Sequence, residues 1–258
     1  PFPSVGATEN VILLAVRAEG VTVLQNAARE PEIEELCRFL TGMGARIEGA
    51  GTGTIRIRGV RELHETEYRI MPDRIVAGTY MLLAAAAGGK VVLTEVPLGQ
   101  LTAVRQVLKA MGARQESRGD SLFLWCPGRC RGGVRIRTAP YPGFPTDLQS
   151  PLMAALCLAD GESVIDEQIF EARFKAAKEL CRMGADIRIR GSKAFIKGTE
   201  RLTGARVEAE ELRGGAALCI AAAAAEGTSR ILQYHYIARG YENIIRDLKA
   251  LGVMVQCR

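Results

Sequence analysis

Hydrophobic residues fall along the chain in a pattern that repeats four times. Each repeat opens with an apolar, Ala-rich run of helical length and then enters a β-type segment such as VTVLQ or KVVLTEV. An amphipathic segment follows, for example EIEELCRFLTGM, in which polar residues separate the apolar ones. Alternating segments complete the first three repeats. The pattern predicts a β-α-β-α-β-β unit that recurs roughly every 70 residues.

Glycines mark the same two places in every repeat. One glycine follows the Ala-rich run and another follows the amphipathic segment, where glycine takes a left-handed helix cap without a Cβ penalty. The first set is Gly20, Gly89, Gly161 and Gly227, and the second set is Gly44, Gly112, Gly184 and Gly252. We therefore expect a helix to end at each of these eight positions.

The Ala-rich runs are apolar on nearly every side, and such a helix belongs in the middle of a domain, covered all round. We therefore predict an α/β fold of inverted α/β barrel-like domains, built from repeated βαβαββ units with internal helices and outer sheets. The segment GAGTGT at 49–54 is predicted to be a hairpin turn, because it follows a helix and a strand and lacks a nucleotide-loop pattern.

Composition narrows the range of partners. The 258 residues are 48% hydrophobic and 24% charged, which is ordinary for a globular protein, and the net charge is +5. A positive net charge favours the binding of anionic small molecules. Because the Lys and Arg residues are dispersed and aromatic residues make up only 5%, base-stacking surfaces are not expected and nucleic acid is not a predicted partner.

Cysteine usage and apolar runs indicate the compartment. The seven cysteines are scattered singly and no secretory signal is recognisable, so we expect reduced, mostly buried thiols and a cytoplasmic protein. The runs MLLAAAA and LCIAAAAA are too short to span a bilayer, so no membrane association is expected. Cys126 and Cys130 are four apart without a further His or Cys pair, so we predict neither a metal site nor a cofactor.

The stretch TAPYPGFPTDLQSP at 138–151 holds four of the ten prolines around a single acid, Asp147. A structural explanation is a capping box, with Thr146 as the N-cap and Gln149 reaching back to it. Because Pro151 removes a donor, the regular helix is expected to begin at Ser150. A functional explanation is that the prolines fix a catalytic carboxylate, since a small misplacement of a base lowers the rate.

Six motifs along the chain resemble those of the UDP-N-acetylglucosamine 1-carboxyvinyltransferases, a family of enolpyruvyl transferases in bacterial peptidoglycan synthesis. The motifs are PSVGATEN (3–10), NAAREPEI (26–33), PDRI-x-x-GT (72–79), PYPGFPTDLQ (140–149), IFEARF (169–174) and RGYE (239–242). The family has six βαβαββ units in two domains. The resemblance implies that residues 1–71 are the last unit of the first domain and residues 72–258 are three units of the second.

The resemblance also implies what lies outside this sequence. The fourth unit stops at VMVQCR, which we expect to be a strand, and a missing N-terminal segment is expected to complete the fold. In the family that part of the protein carries a loop with a reactive Cys and a Lys-Asn pair that contacts phosphoenolpyruvate. None of the cysteines here matches that loop, so the chain alone is expected to be inactive.

The activity that the resemblance implies is transfer of the enolpyruvyl group of phosphoenolpyruvate to the 3′-hydroxyl of UDP-N-acetylglucosamine, with release of phosphate. It makes Asp147 the base. Guanidinium groups suit the carboxylate and the phosphate of phosphoenolpyruvate. The family positions for substrate binding fall on Ser4, Val5, Gly6, Ile169, Arg173, Glu211, Arg213 and Arg239. Each of these positions also has a structural explanation. Ser4 would cap a helix, Ile169 would lie in the core, and the arginines would be solvated surface residues.

Several residues depart from the family pattern. Glu211 and Ala238 each stand where the family has Asp, Ala172 where it has Asn, and Phe2 at a position that is often basic. These departures leave open a divergent, non-catalytic paralogue that binds a sugar nucleotide. A shikimate-phosphate enolpyruvyl transferase is a further alternative with the same fold, although the PYPGFPTD stretch favours the sugar nucleotide as acceptor.

Overall fold

The structure is a computed structural model that describes residues 2–257. The helices and strands of the described residues are, in chain order, α1 (Val5–Ala15), β1 (Val21–Gln25), α2 (Pro31–Gly42), β2 (Arg46–Glu48), β3 (Thr54–Arg58), α3 (Arg74–Ala87), β4 (Gly89–Leu93), α4 (Thr102–Ala110), β5 (Arg114–Arg118), β6 (Ser121–Cys126), β7 (Arg135–Arg137), α5 (Gln149–Leu156), β8 (Glu162–Asp166), α6 (Ala176–Arg182), β9 (Asp186–Arg190), β10 (Lys193–Lys197), β11 (Arg206–Glu208), α7 (Leu212–Ala224), β12 (Arg230–Leu232), α8 (Tyr234–Ala238) and α9 (Ile244–Ala250). Two 3₁₀ turns, Leu98–Leu101 and Thr146–Leu148, lead into α4 and α5.

The chain divides into two compact units. One consists of residues 1–72 with 140–143, and the other of residues 73–139 with 144–258. Each unit has a hydrophobic core of its own. The proline-rich stretch around Asp147 therefore contributes residues to both units. The assignment of residues 1–71 and 72–258 to two family domains stays a prediction.

One sheet topology recurs through the repeats. The strand orders are β1-β3-β2 in the first repeat, β4-β6-β5 in the second and β7-β8-β10-β9 in the third. In each sheet the last strand of the repeat lies between two of the others and pairs antiparallel with both of these neighbours. The predicted turn at 49–54 joins the hairpin of β2 and β3. Parallel pairs flank α5 and α7, namely β7 with β8 and β11 with β12, so these helices are crossover connections.

The glycines after the amphipathic helices end those helices in one common way. After α2 the N–H of Ala45 donates to the carbonyl of Leu40 and the N–H of Gly44 donates to Thr41, both at 2.9 Å. This is a Schellman motif, and it requires the left-handed φ of +96° that Gly44 adopts. Corresponding hydrogen bonds close α4, α6 and α9 at Gly112, Gly184 and Gly252. The helix ends predicted at these four glycines are confirmed.

The helix ends predicted at the other four glycines are less accurate. Only α3 runs up to its glycines, where Gly88 is the cap with a φ of 72°. Helices α1, α5 and α7 end several residues before Gly20, Gly161 and Gly227. These glycines do have positive φ, but a stretch of irregular backbone separates them from the helix, and they lie at the entry to the following strand.

Three of the Ala-rich helices form the centre of the larger unit. Helices α3, α5 and α7 pack against one another, and all eight residues of α5 are buried. The sheets cover them with alternating residues, as in β10, where Ala194 and Ile196 are buried and the two terminal lysines are exposed. Inner helices with outer sheets, predicted from the sequence, are therefore confirmed for this unit, and the α/β class is confirmed for the chain.

Two expectations are wrong in detail. Helix α1 is not covered all round: Leu13 is 52% exposed and Leu14 is 76% exposed, because within its unit α1 packs on one side only, against α2 and the sheet. The strand expected at VMVQCR is absent from the described residues, since residues 253–257 pair with no strand. Arg258 lies outside the described residues.

The described residues hold seven free cysteines, of which five are buried and two, Cys181 and Cys257, are exposed. Burial raises the pKa of the Cys219 thiol to about 12. Between residues 2 and 257, no helix is long and apolar enough to cross a membrane. The same residues contain no group of three or more His, Cys, Asp or Glu side chains placed to hold a metal ion.

The packing of the central helices predicts a large loss of stability on truncation of Leu152. This residue lies in α5 and is 0% exposed. Leu152→Ala leaves a cavity among α3, α5 and α7 and should lower the free energy of unfolding by about 2–5 kcal/mol in urea denaturation. Val92→Ala is the control, because Val92 is 52% exposed on β4, and its effect should stay under about 1 kcal/mol. Equal losses in the two variants would contradict this packing.

Candidate active site

Asp147 lies in the 3₁₀ turn that precedes α5. The next residue, Leu148, is fully buried and packs against Gly78 of α3, where an added Cβ would clash with the leucine side chain. Gly78 thus leaves the space that Leu148 occupies. The side chain of Asp147 itself is 38% exposed. A turn anchored by a buried leucine therefore presents its carboxylate at the surface of the larger unit.

Two arginines meet on one oxygen of this carboxylate. The Oδ1 atom of Asp147 accepts hydrogen bonds from Nη2 of Arg173 at 2.8 Å and from Nε of Arg213 at 3.2 Å. The other oxygen, Oδ2, accepts no hydrogen bond from any of residues 2–257. The structure therefore brings together three residues predicted from sequence, and one carboxylate oxygen keeps its lone pairs available.

Arg173 comes from the loop between β8 and α6. Its guanidinium lies over the ring of Phe170, with 4.7 Å from Cζ to the ring centroid, and its side chain is 19% exposed. Its Nε atom is buried and makes no hydrogen bond within the described chain. Stacking on the ring holds the plane of the guanidinium while leaving N–H donors for a further acceptor.

Arg213 comes from the first turn of α7, where Glu211 is the N-cap. The Glu211 carboxylate accepts the backbone N–H of Arg213 at 2.8 Å and also the N–H of Gly214. This satisfies two of the donors that a helix start leaves open. Glu211 therefore acts as a helix cap that fixes the backbone of Arg213.

Tyr241 lies close to Arg213 and was not recognised as a site residue from the sequence. It is 3% exposed, and its hydroxyl lies 2.9 Å from Oγ1 of Thr79. Burial raises the pKa of the Tyr241 phenol, while the hydrogen bond to Thr79 and the positive charge of Arg213 act in the opposite direction. The phenol is thus neutral and adds no charge beside the arginine.

The capping box predicted over Thr146–Gln149 is wrong. The hydroxyl of Thr146 donates to Oε2 of Glu167 at 2.9 Å instead of capping a helix. Gln149 is fully buried, and its amide oxygen accepts from the hydroxyl of Ser150 at 3.1 Å. Helix α5 begins at Gln149, one residue before the predicted start, so Pro151 lies in the first turn, where a missing N–H breaks no helical hydrogen bond.

The other predicted residues make no hydrogen bond or ion pair with Asp147, Arg173 or Arg213 among residues 2–257. The backbone N–H of Ile169 donates to Oε1 of Glu167 at 2.8 Å. Arg239 is exposed at the end of α8 and makes no ion pair within the described residues. Ser4 caps α1 in the other unit by accepting the N–H of Ala7 at 3.3 Å, and Val5 and Gly6 form the first turn of that helix. A binding role for these residues stays a prediction.

The cluster of Asp147, Arg173 and Arg213 has the electrostatics of an anion site with a built-in base. Two guanidinium groups beside one carboxylate leave a net positive charge, and guanidinium groups remain protonated at any working pH. Their remaining N–H groups can bind a carboxylate or a phosphate. The open Oδ2 atom can accept a proton from a hydroxyl placed within hydrogen-bond distance.

Comparison with known proteins identifies the family. Residues 1–248 match the sequence profile described as EPSP synthase (3-phosphoshikimate 1-carboxyvinyltransferase). The chain belongs to this family. Two similar proteins are the UDP-N-acetylglucosamine 1-carboxyvinyltransferase 2 of Caldanaerobacter subterraneus subsp. tengcongensis and the UDP-N-acetylglucosamine 1-carboxyvinyltransferase of Nitratidesulfovibrio vulgaris, each 49% identical. The alignments cover 97% and 99% of this chain, so the resemblance found in the motifs is confirmed.

Solved structures of the EPSP synthase family share the fold. The enolpyruvyl transferase NikO from Streptomyces tendae matches 97% of the chain and 60% of its own length, with a TM-score of 0.87 and 27% identity. An EPSP synthase from Acinetobacter baumannii matches with a TM-score of 0.73 and 21% identity, over all of this chain and 62% of its own. The predicted inverted α/β barrel fold is confirmed. The chain spans about 60% of the length of the curated relatives it matches.

The backbone next to Arg173 predicts a stabilising substitution. Ala172 is exposed and has a φ of 52°, in the left-handed region that disfavours alanine and favours Gly and Asn. Ala172→Asn and Ala172→Gly should each raise the free energy of unfolding by about 0.5–1 kcal/mol in urea denaturation. In Ala110→Gly, an exposed position in the last turn of α4, the sign should reverse. A loss of stability in both Ala172 variants would refute the left-handed assignment.

Proposed function

We propose that the protein that carries this chain transfers the enolpyruvyl group of phosphoenolpyruvate to the 3′-hydroxyl of UDP-N-acetylglucosamine, releasing phosphate. This is the first committed step of peptidoglycan synthesis, and its proposed setting is the cytoplasm. The observation that carries the proposal is the geometry at Asp147, where one oxygen holds two arginines and the other is open. The names of relatives that are 45–49% identical support the choice of reaction.

The proposed chemistry uses the open oxygen as a base. Oδ2 of Asp147 takes the proton of the 3′-hydroxyl while the hydroxyl oxygen bonds to C2 of phosphoenolpyruvate and the methylene carbon gains a proton from a separate general acid. The resulting tetrahedral intermediate then expels phosphate, and its methyl carbon returns a proton to the conjugate base of that acid, which restores the double bond. Atoms balance, since one phosphate leaves for each enolpyruvyl group transferred.

Two arginines supply the positive charge that this reaction needs. Arg173 and Arg213 would bind the carboxylate or the phosphate of phosphoenolpyruvate, close to the base that they contact. Arg239 is proposed as a further contact for the same substrate. Glu211 would act on this site by fixing the first turn of α7.

The proposed contacts for the sugar nucleotide follow from the family resemblance. The resemblance assigns the diphosphate to the helix start formed by Ser4, Val5 and Gly6, where backbone N–H groups favour an anion. Ile169 is the proposed contact on the larger unit. Because its N–H already donates to Glu167, its carbonyl is the backbone group that remains for the nucleotide.

A second candidate acceptor is shikimate 3-phosphate, which the description of the family profile favours. The solved EPSP synthases share the fold at 21% identity, which is evidence for the fold alone. The sugar nucleotide is the better-supported acceptor, since the relatives with 45–49% identity carry that name. The non-catalytic alternative predicts that the sugar nucleotide binds in calorimetry without any release of phosphate.

The role of Asp147 is tested by phosphate release from phosphoenolpyruvate and UDP-N-acetylglucosamine with the full-length protein. Asp147→Asn keeps the size of the side chain but removes the base, so kcat should fall about 10²–10⁴-fold. Asp160→Asn is the matched control: its carboxylate pairs with Arg129 at 3.7 Å on an exposed surface, and its loss should leave kcat unchanged.

Three results would reject parts of this proposal. Turnover with shikimate 3-phosphate and none with the sugar nucleotide would replace the acceptor. Tight binding of the sugar nucleotide without phosphate release from the wild-type protein would support the non-catalytic paralogue. An Asp147→Asn variant as active as the wild type would remove the base.

A further inference from the structure

Glu167 is a buried carboxylate that neither the sequence motifs nor the family resemblance singles out. It follows β8 directly and is 4% exposed. Its Oε2 atom accepts the hydroxyl of Thr146 at 2.9 Å, and its Oε1 atom accepts the backbone N–H groups of Ile169 at 2.8 Å and Phe170 at 3.1 Å. A carboxylate is expensive to bury unless hydrogen bonds replace its water, and these three donors do so.

These hydrogen bonds connect the two segments that meet in the ion cluster. Thr146 is the residue before Asp147, in the same 3₁₀ turn. Ile169 and Phe170 begin the loop that leads to Arg173, and the ring of Phe170 stacks on the Arg173 guanidinium. One carboxylate therefore holds both backbone segments whose side chains form the 2.8 Å ion pair.

Glu167 is itself fixed to the sheet. Its backbone N–H donates to the carbonyl of Ser192, in the turn between β9 and β10, at 2.8 Å. The next residue, Gln168, donates its backbone N–H to the hydroxyl of Thr138 at 2.8 Å. The carboxylate is thus supported by strand-end backbone and does not depend on the loop that it orders.

We propose that Glu167 is a positioning residue for enolpyruvyl transfer, which sets the position of the Asp147 carboxylate relative to Arg173 through Thr146 on one side and Ile169 and Phe170 on the other. The inference rests on the proposed function. It extends that function, because Glu167 touches no substrate and acts through the residues that do.

Glu179 offers a matched comparison within the same unit. It is 5% exposed, accepts the backbone N–H of Glu208 at 3.0 Å and pairs with Arg182 at 3.0 Å. It links α6 to β11 and contacts no member of the ion cluster. If buried carboxylates in this fold only stabilise it, the loss of Glu167 and the loss of Glu179 should have the same consequences for the folded enzyme.

The test measures kcat of the full-length protein well below its unfolding temperature, with phosphoenolpyruvate and UDP-N-acetylglucosamine. Glu167→Ala should lower kcat about 100-fold, because a base displaced by about 1 Å loses that much rate. Glu167→Gln should recover most of it, since the amide oxygen can accept both backbone N–H groups and the amide N–H can donate to the Thr146 hydroxyl. Glu179→Ala should leave kcat of the folded fraction unchanged.

A double-mutant cycle isolates the link to the Asp147 turn. Thr146→Val removes one hydroxyl and should lower kcat about tenfold, the equivalent of one hydrogen bond to a charged group. Adding Thr146→Val to Glu167→Ala should lower kcat no further, since the link is already absent. If the Glu167→Ala variant does not fold, the Thr146→Val variant alone tests the link to the Asp147 turn. An unchanged kcat in Thr146→Val then overturns the inference.

The inference and the proposed function fail in different ways. An inactive wild-type protein overturns both. If the wild type is active, three results overturn the positioning role alone. The Glu167→Ala variant keeps full kcat, or the Glu179→Ala variant loses as much kcat as Glu167→Ala does. The third result is that Thr146→Val and Glu167→Ala lower kcat additively.

Discussion

The two guanidinium groups of Arg173 and Arg213 converge on one oxygen of Asp147, and the site depends on this contact. Two neighbouring cations repel each other, and an anion between them offsets this repulsion because it attracts both. The carboxylate supplies that anion and, because both arginines use Oδ1, it retains Oδ2 for a second partner. One side chain thereby holds the positive charges together and presents a proton acceptor beside them.

The fold places these three residues together through its central helices. Asp147 precedes α5 and Arg213 lies in the first turn of α7, and these two helices pack against each other. Their N-terminal ends carry partial positive charge that favours anions nearby. Glu211 accepts the hydrogen bonds of the first N–H groups of α7. A substrate anion at that helix would therefore bind the side chain of Arg213. Arg173 reaches the same point from a loop that Glu167 holds in place.

The repeats, the inner helices and four Schellman glycines could be predicted because they follow from local hydrophobic period and from backbone conformation. Strand β5 was not located, since its residues RQESR carry no apolar alternation and it exists by pairing with β6. The short strands β7 and β11 were not located for a similar reason, because each depends on a parallel partner distant in sequence.

The site was predicted in part. The resemblance identified Asp147, Arg173 and Arg213, and the structure brings them into contact. The local pattern around Thr146 favoured a capping box, but a buried acid 21 residues away takes its hydroxyl. Sequence does not distinguish a buried glutamate from an exposed one, so Glu167 had no signal beyond its position after a strand.

The most direct test of the account is a crystal structure of the full-length protein with UDP-N-acetylglucosamine bound. We expect Oδ2 of Asp147 to lie about 3 Å from the 3′-hydroxyl oxygen of the sugar while Oδ1 still faces Arg173 or Arg213. A sugar whose 3′-hydroxyl meets another side chain, with the Asp147 carboxylate beyond the reach of a hydrogen bond or one bridging water, would contradict it.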